Sequence, residues 1–172
     1  MSPHTRARGA CCTLAALMVM AACQPAAAPP LSAAQKQAIA DTLEQKIAAA
    51  YDLSKPGVVQ RMMSLYPDSG PVISAAAGRV TTSRDSLEAE LQTFWKFVGS
   101  NMRDPRWVWE KKYVEVLSPT AAVLTATYHI PHIQPNGMPH DLAGAWTALF
   151  ERRNGKWVIV QEHLSDVPMP AM

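Results

Sequence analysis

Much that would point directly at a chemistry is missing from this sequence. Its longest apolar run, Ala10 to Ala22, is well short of the roughly 20 residues a membrane-spanning helix needs. Charged residues make up only 17% of the chain, with 16 basic against 14 acidic, and they form no basic stripe. Nucleic acid is therefore not an expected partner. There is no Ser-His-Asp order, no glycine-rich phosphate loop and no Cys-based site. No internal repeat occurs, and the one low-complexity stretch is QPAAAPP, Gln24 to Pro30. Cysteine is scarce. Cys11 and Cys12 sit inside the apolar run, and Cys23 closes it.

The 172 residues fit one domain after trimming. His4, Arg6 and Arg8 make a polar, basic start to an apolar run that ends in Met20-Ala21-Ala22-Cys23. This is the pattern of a secretory signal. The Cys directly after small residues resembles a bacterial lipoprotein lipobox, with Met where Leu is commoner. That resemblance implies cleavage before Cys23, a diacylglycerol on its thiol, and a lipid-anchored chain facing the periplasm. Gln24, rather than Asp, implies the outer membrane. Residues 1–22 are then the signal, 23–31 the lipidated Cys and a Pro/Ala tether, 32–167 the domain and 168–172 a tail. Cleavage leaves 150 residues with 14 basic and 14 acidic side chains and a single Cys. No intramolecular disulfide is then possible, so the domain must be held by its core.

The expected elements follow from periodicity and punctuation. Ser32 and Gln35 have capping-box spacing, and Ile39, Leu43 and Ile47 recur every four residues, which predicts a helix over 32–51. Val58, Val59, Met62, Met63 and Tyr66 predict a short second helix ended by Pro67. Residues 71–80 read as one irregular strand turning at Gly78. A third helix begins at Thr82 or Ser83, carries Leu87, Leu91, Phe94, Trp95 and Val98, and stops at Gly99. Strands are expected over 106–117, 121–131, 140–152 and 156–166, joined by short turns. Three helices placed early, then consecutive antiparallel strands, define the α+β class.

The last hairpin organises this reading. Asn154-Gly155 suits a two-residue turn with positive φ. Counting outward pairs Phe150 with Ile159, Ala148 with Gln161 and Trp146 with His163. One face would then carry Trp146, Ala148, Phe150, Trp157, Ile159, Gln161, His163 and Ser165, which is taken as the concave, pocket-lining side.

The element order, with GKWVIVQEHLS and Leu65-Tyr66-Pro67-Asp68, resembles the SnoaL-like branch of the nuclear transport factor 2-like superfamily. The carrying residues are Gly155, Trp157, Ile159, Val160, His163 and Ser165, with the Thr147–Phe150 strand. The resemblance implies a cone-shaped α+β barrel, a curved antiparallel sheet wrapped on the three helices. It also implies a pocket at the wide end and commonly a homodimer through the open sheet face. Matching Leu65-Tyr66 to the steroid isomerases of that superfamily puts Ser74 at their catalytic carboxylate. A hydroxyl cannot be that base at neutral pH, so isomerase chemistry is not expected.

Candidate residues each carry two readings. His163 is either a pocket acid/base or a core histidine held by Ser165 or a carbonyl. Asp141 is the one strand carboxylate near the pocket end. His129 and Thr127 share the Trp146 face if the loop before His140 has an even number of residues; Tyr128 does if it is odd. His129 and His132, with His140-Asp141 across the turn, are either a metal cluster or rim histidines at a hairpin end; because His129 and His132, three apart, point to opposite faces, no metal is expected. Trp107, Trp109 and Tyr113 alternate onto one face and either line the pocket mouth or pack on the third helix or a dimer face. The expected ligand-binding set is Trp146, His163, Gln161, Phe150, Tyr128, His129, Trp109 and Tyr113. No cofactor is expected. The function expected is a membrane-anchored module binding a small apolar or amphipathic ligand. The alternatives are a small lyase, isomerase or cyclase using His163, and a structural dimeric lipoprotein.

Overall fold

The computed structural model describes residues 29–166. The signal segment, Cys23, most of the tether and the tail lie outside the described residues. Helix α1 spans Ala33–Ala50. It starts where the sequence places it: Ser32 Oγ accepts from the Gln35 N–H, and Gln35 Oε1 accepts from the Ser32 N–H at 2.9 Å. Leu43 and Ile47 are fully buried on its inner stripe. Helix α2 is Val58–Met63 and α3 is Arg84–Phe97. The cap of α3 is Ser83, whose hydroxyl accepts from the Ser86 N–H, so Thr82 lies outside the helix.

Strands β1 (Ile73–Ala76) and β2 (Arg79–Thr81) replace the single strand expected over 71–80. Ala77 and Gly78 both take positive φ between them. The long strands are β3 (Val108–Ser118), β4 (Ala121–Ile133), β5 (Pro139–Arg153) and β6 (Lys156–Asp166). They form one six-stranded sheet in the order β2-β1-β6-β5-β4-β3. Every pairing is antiparallel except β1 with β6, which is parallel. The sheet is thus mixed, because β1 reaches β6 by a crossover. Its inner face meets α1 and the end of α2.

Two bulges decide which side chains face inward. In β6 the ladder runs Arg153↔Lys156, Arg152↔Trp157 and Phe150↔Ile159, then resumes at Leu149↔Gln161. Val160 is the extra residue, and a bulge of one reverses every side chain beyond it. Trp146 therefore pairs with Leu164, and His163 pairs with Thr147 on the outer face. In β3 the ladder jumps from Trp109↔Tyr128 to Lys112↔Ala126. Trp109 stays inside, and Tyr113, paired with Thr125, is turned out and 65% exposed. Both the shared Trp146–His163 face and the shared Trp107–Trp109–Tyr113 face are overturned for this one reason.

The β4–β5 pair is regular from Ala121↔Glu151 to Ile133↔Pro139. The connecting loop, 134–138, has an odd number of residues, and Tyr128 is the inward side chain. It crosses β5 to donate its hydroxyl to Asp166 Oδ1 at 3.2 Å. That crossing passes over Gly144, where a Cβ would lie 2.5 Å from the Ser165 carbonyl oxygen and 2.7 Å from Tyr128 Oη. Gly144→Ala must push apart backbone and ring together, at a cost of about 1–3 kcal/mol. Urea unfolding should show that loss, whereas an unchanged midpoint would mean the contact is slack.

Candidate functional site

Inside the sheet, Glu162 is buried to 4% exposure between three strands. Its Oε1 accepts from Ser74 Oγ on β1 at 2.7 Å, and its Oε2 accepts from Trp146 Nε1 on β5 at 2.8 Å. The Val160 bulge brings it there by reversing 161–166. A carboxylate therefore does reach Ser74, delivered from β6. Two buried tyrosines stand beside it. Burial raises Tyr66 well above the usual phenol value, helped by the Glu162 charge and by hydrogen bonds to Glu162 and Tyr51. Burial likewise raises Tyr51, again helped by Glu162.

The remaining interior is filled by rings. Tyr51 lies 4.4 Å from Trp107, 5.2 Å from Trp109 and 6.1 Å from Trp146, centroid to centroid. Trp107 stacks on Tyr128 at 4.7 Å, and Trp146 meets Phe150 edge-on at 6.3 Å. These contacts stabilise each aromatic pair by roughly 0.5–1.5 kcal/mol beyond area burial.

Open space lies at the end of the sheet that carries the β4–β5 turn. A pocket of about 820 Å³ is lined by residues that include Leu53, Arg106, Ile133, His132, His140 and Asp141. Ser54, also on its wall, is held by Asp52, whose Oδ1 accepts from the Ser54 N–H and hydroxyl. Those bonds, chiefly the hydroxyl, and the Lys55 ammonium 3.0 Å from Oδ2 lower the Asp52 carboxyl to about 2. Prolines 105, 131 and 139 add rigid apolar wall.

The expected site residues divide. Trp146, Phe150, Tyr128 and Trp109 face the interior, and none lines the pocket. His163 and Gln161 are exposed on the outer face. His129 is outward as well, with Nδ1 2.9 Å from Asp141 Oδ2. Asp141 pairs with Pro131 and His163 with Thr147, which separates the two by six positions along β5, roughly 20 Å. The proposed His163–Asp141 pair is not assembled. Sequence reasoning missed Glu162, Arg106 and Leu53. It did bring His132 and His140 together across the turn, as rim histidines with no metal expected; the odd loop puts the two opposite each other on the inner face.

A family model described as a SnoaL-like domain matches residues 43–170, and the chain belongs to that family. Solved structures of the nuclear transport factor 2-like fold agree with it. A candidate dehydratase of the nuclear transport factor 2-like family from Streptomyces avermitilis superimposes with TM-score 0.62 at 17% identity, over 77% of this chain and 98% of that one. The association domain of C. elegans CaMKII gives 0.56 at 18%, over 77% and 95%. A nuclear transport factor 2-like superfamily protein from Salmonella enterica gives 0.58 at 15%, over 80% and 94%. A search of the curated proteins finds no match.

Burial makes the tyrosines a base-side liability. Their folded values lie above the unfolded value of about 10, so the neutral form that folding requires is complete below that pH. Stability should fall as pH rises past about 10, because the unfolded chain releases phenolic protons first. The check is absorbance of phenolate at high pH followed beside circular dichroism. Signals from Tyr51 and Tyr66 should appear only as structure is lost; their appearance in an intact fold would refute the sealed interior.

Proposed function

We propose that this chain is a lipid-anchored SnoaL-like domain of the cell envelope that binds a small apolar or amphipathic molecule beside the β4–β5 turn. The observation that carries this reading is the 820 Å³ pocket, which falls within the range of about 300–1,000 Å³ typical of small-molecule sites. Leu53, Ile133 and the three prolines suit an apolar body. Arg106, His132 and His140 suit a polar end. This replaces the wall of Trp146 and His163, which the β6 bulge abolishes.

Binding is favoured over turnover by the state of Glu162, the one buried carboxylate among the described residues. Both Glu162 oxygens are already taken by neutral donors, and rings occupy the space a substrate would need. The likeness to an association domain supports pairing of two copies, and the outer face with Tyr113 and His163 is the surface available for it.

Native mass spectrometry of the full chain, extracted from its own membrane in mild detergent, tests the pocket and the pairing together. A small molecule should co-purify, on a chain of doubled mass. Ser54→Trp, an exposed position on the pocket wall, should cut its retention at least tenfold, and His163→Ala should not. Retention undiminished in the Trp variant would remove the pocket from the account.

The anchor has its own test. Cys23→Ser should move the chain from the membrane fraction to the soluble one. A variant that stays with the membrane would mean the attachment lies elsewhere.

A further inference from the structure

The pocket wall holds two imidazoles that the reading above uses only as polar surface. His132 and His140 are direct partners across β4 and β5 and both face inward. Their rings stand 5.1 Å apart, centroid to centroid, at 64°. His132 is buried, and its Nδ1 lies 2.8 Å from the Ile130 carbonyl oxygen. A carbonyl can only accept, so Nδ1 carries the proton and Nε2 keeps its lone pair. A backbone carbonyl holding one ring nitrogen is the usual way a metal-binding histidine is oriented. His140 supplies the second clue. Its Nδ1 is buried and has no hydrogen-bond partner. Four other buried atoms among the described residues also lack a partner, but none of them is a ring nitrogen that can ligate an ion.

We propose that His132 and His140 form a two-imidazole site for a divalent transition-metal ion in the pocket wall. Two imidazoles on one tetrahedral ion, with metal–nitrogen bonds of about 2.0–2.1 Å, place their ring centres roughly 5 Å apart, as they stand here. Imidazole pairs suit zinc, copper and nickel. Among the described residues no third metal-ligating side chain completes a set. The other coordination positions would be filled by water or by the donor atoms of a molecule in the pocket, which both histidines line. The ion would give the polar end of the pocket a ligand class, compounds with an oxygen or nitrogen donor. This shares the pocket of the preceding section but stands on the imidazole pair alone.

Zinc alone is the probe. Calorimetric titration of the full chain in detergent should find one Zn²⁺ per chain. His132→Ala and His140→Ala should each weaken binding more than tenfold, and His129→Ala and His163→Ala should change it less than twofold. A set of four equal effects overturns the proposal. Because His132 is buried and its variant risks misfolding, imidazole nitrogen resonances of the unmutated chain give an independent reading. Zinc should move His132 Nε2 and His140 Nδ1 and leave His129 and His163 in place. Movement confined to the outer pair, or none, would overturn it too. Loss of zinc binding with small-molecule retention intact would remove this site and leave the pocket reading standing.

Discussion

One extra residue in β6 sets the interior of this protein. Val160 has no partner, so the strand reverses its faces beyond Ile159. Glu162, Leu164 and Asp166 turn inward, and Gln161, His163 and Ser165 turn outward. The reversal carries a cost, since burying a carboxylate costs several kcal/mol. Hydrogen bonds from Ser74, Trp146 and Tyr66, at about 1.5–3 kcal/mol each to a charged group, offset it. Glu162 also supplies register. Two of its donors come from β1 and β5, and only the bulged alignment brings Ser74 and Trp146 to the same carboxylate. Asp166 acts the same way at the strand's end, taking the Tyr128 hydroxyl across Gly144.

The same geometry explains why open volume and aromatic interior are in different places. Trp146, Tyr66 and Tyr51 stand around Glu162, and Trp107, Trp109 and Tyr128 extend that cluster ring to ring. Space survives only past the end of that aromatic plug. There the loop after α1, the segment leading into β3 and the β4–β5 turn meet. Three prolines line this region, two of them in the last rungs of the β4–β5 ladder. The wall is thus made of those strand ends together with the loop after α1 and the segment leading into β3.

The sequence made the helices legible because their signals are local. A capping box, a four-residue stripe and a stop at Gly or Pro need no tertiary information, and α1 begins at the residue so identified. Strand existence and the Asn154-Gly155 turn were readable for the same reason. Facing was not. Alternation predicts a face only while the ladder stays regular, and neither Val160 nor the Glu110-Lys111 step differs in composition from an ordinary strand. A bulge is a choice made by the partner strand and by the core. One unnoticed bulge therefore moved His163 out and moved Glu162 in, while the His163–Asp141 pair fails on distance along β5 rather than on facing. The β4–β5 loop behaved differently, because its length alone fixed the inward residue as Tyr128.

Function follows the polarity of α1. Its 18 residues span about 27 Å. The pocket is built beyond its C-terminal end, by Leu53 and Ser54, and the chain joins the fold at its N-terminal end, at Ser32. The pocket and the point where the chain enters the domain therefore lie at opposite ends of α1. No helix among the described residues is long and apolar enough to cross a membrane. Leu53, Ile133 and the prolines give the pocket an apolar wall, while Arg106 and the two histidines give it a polar end.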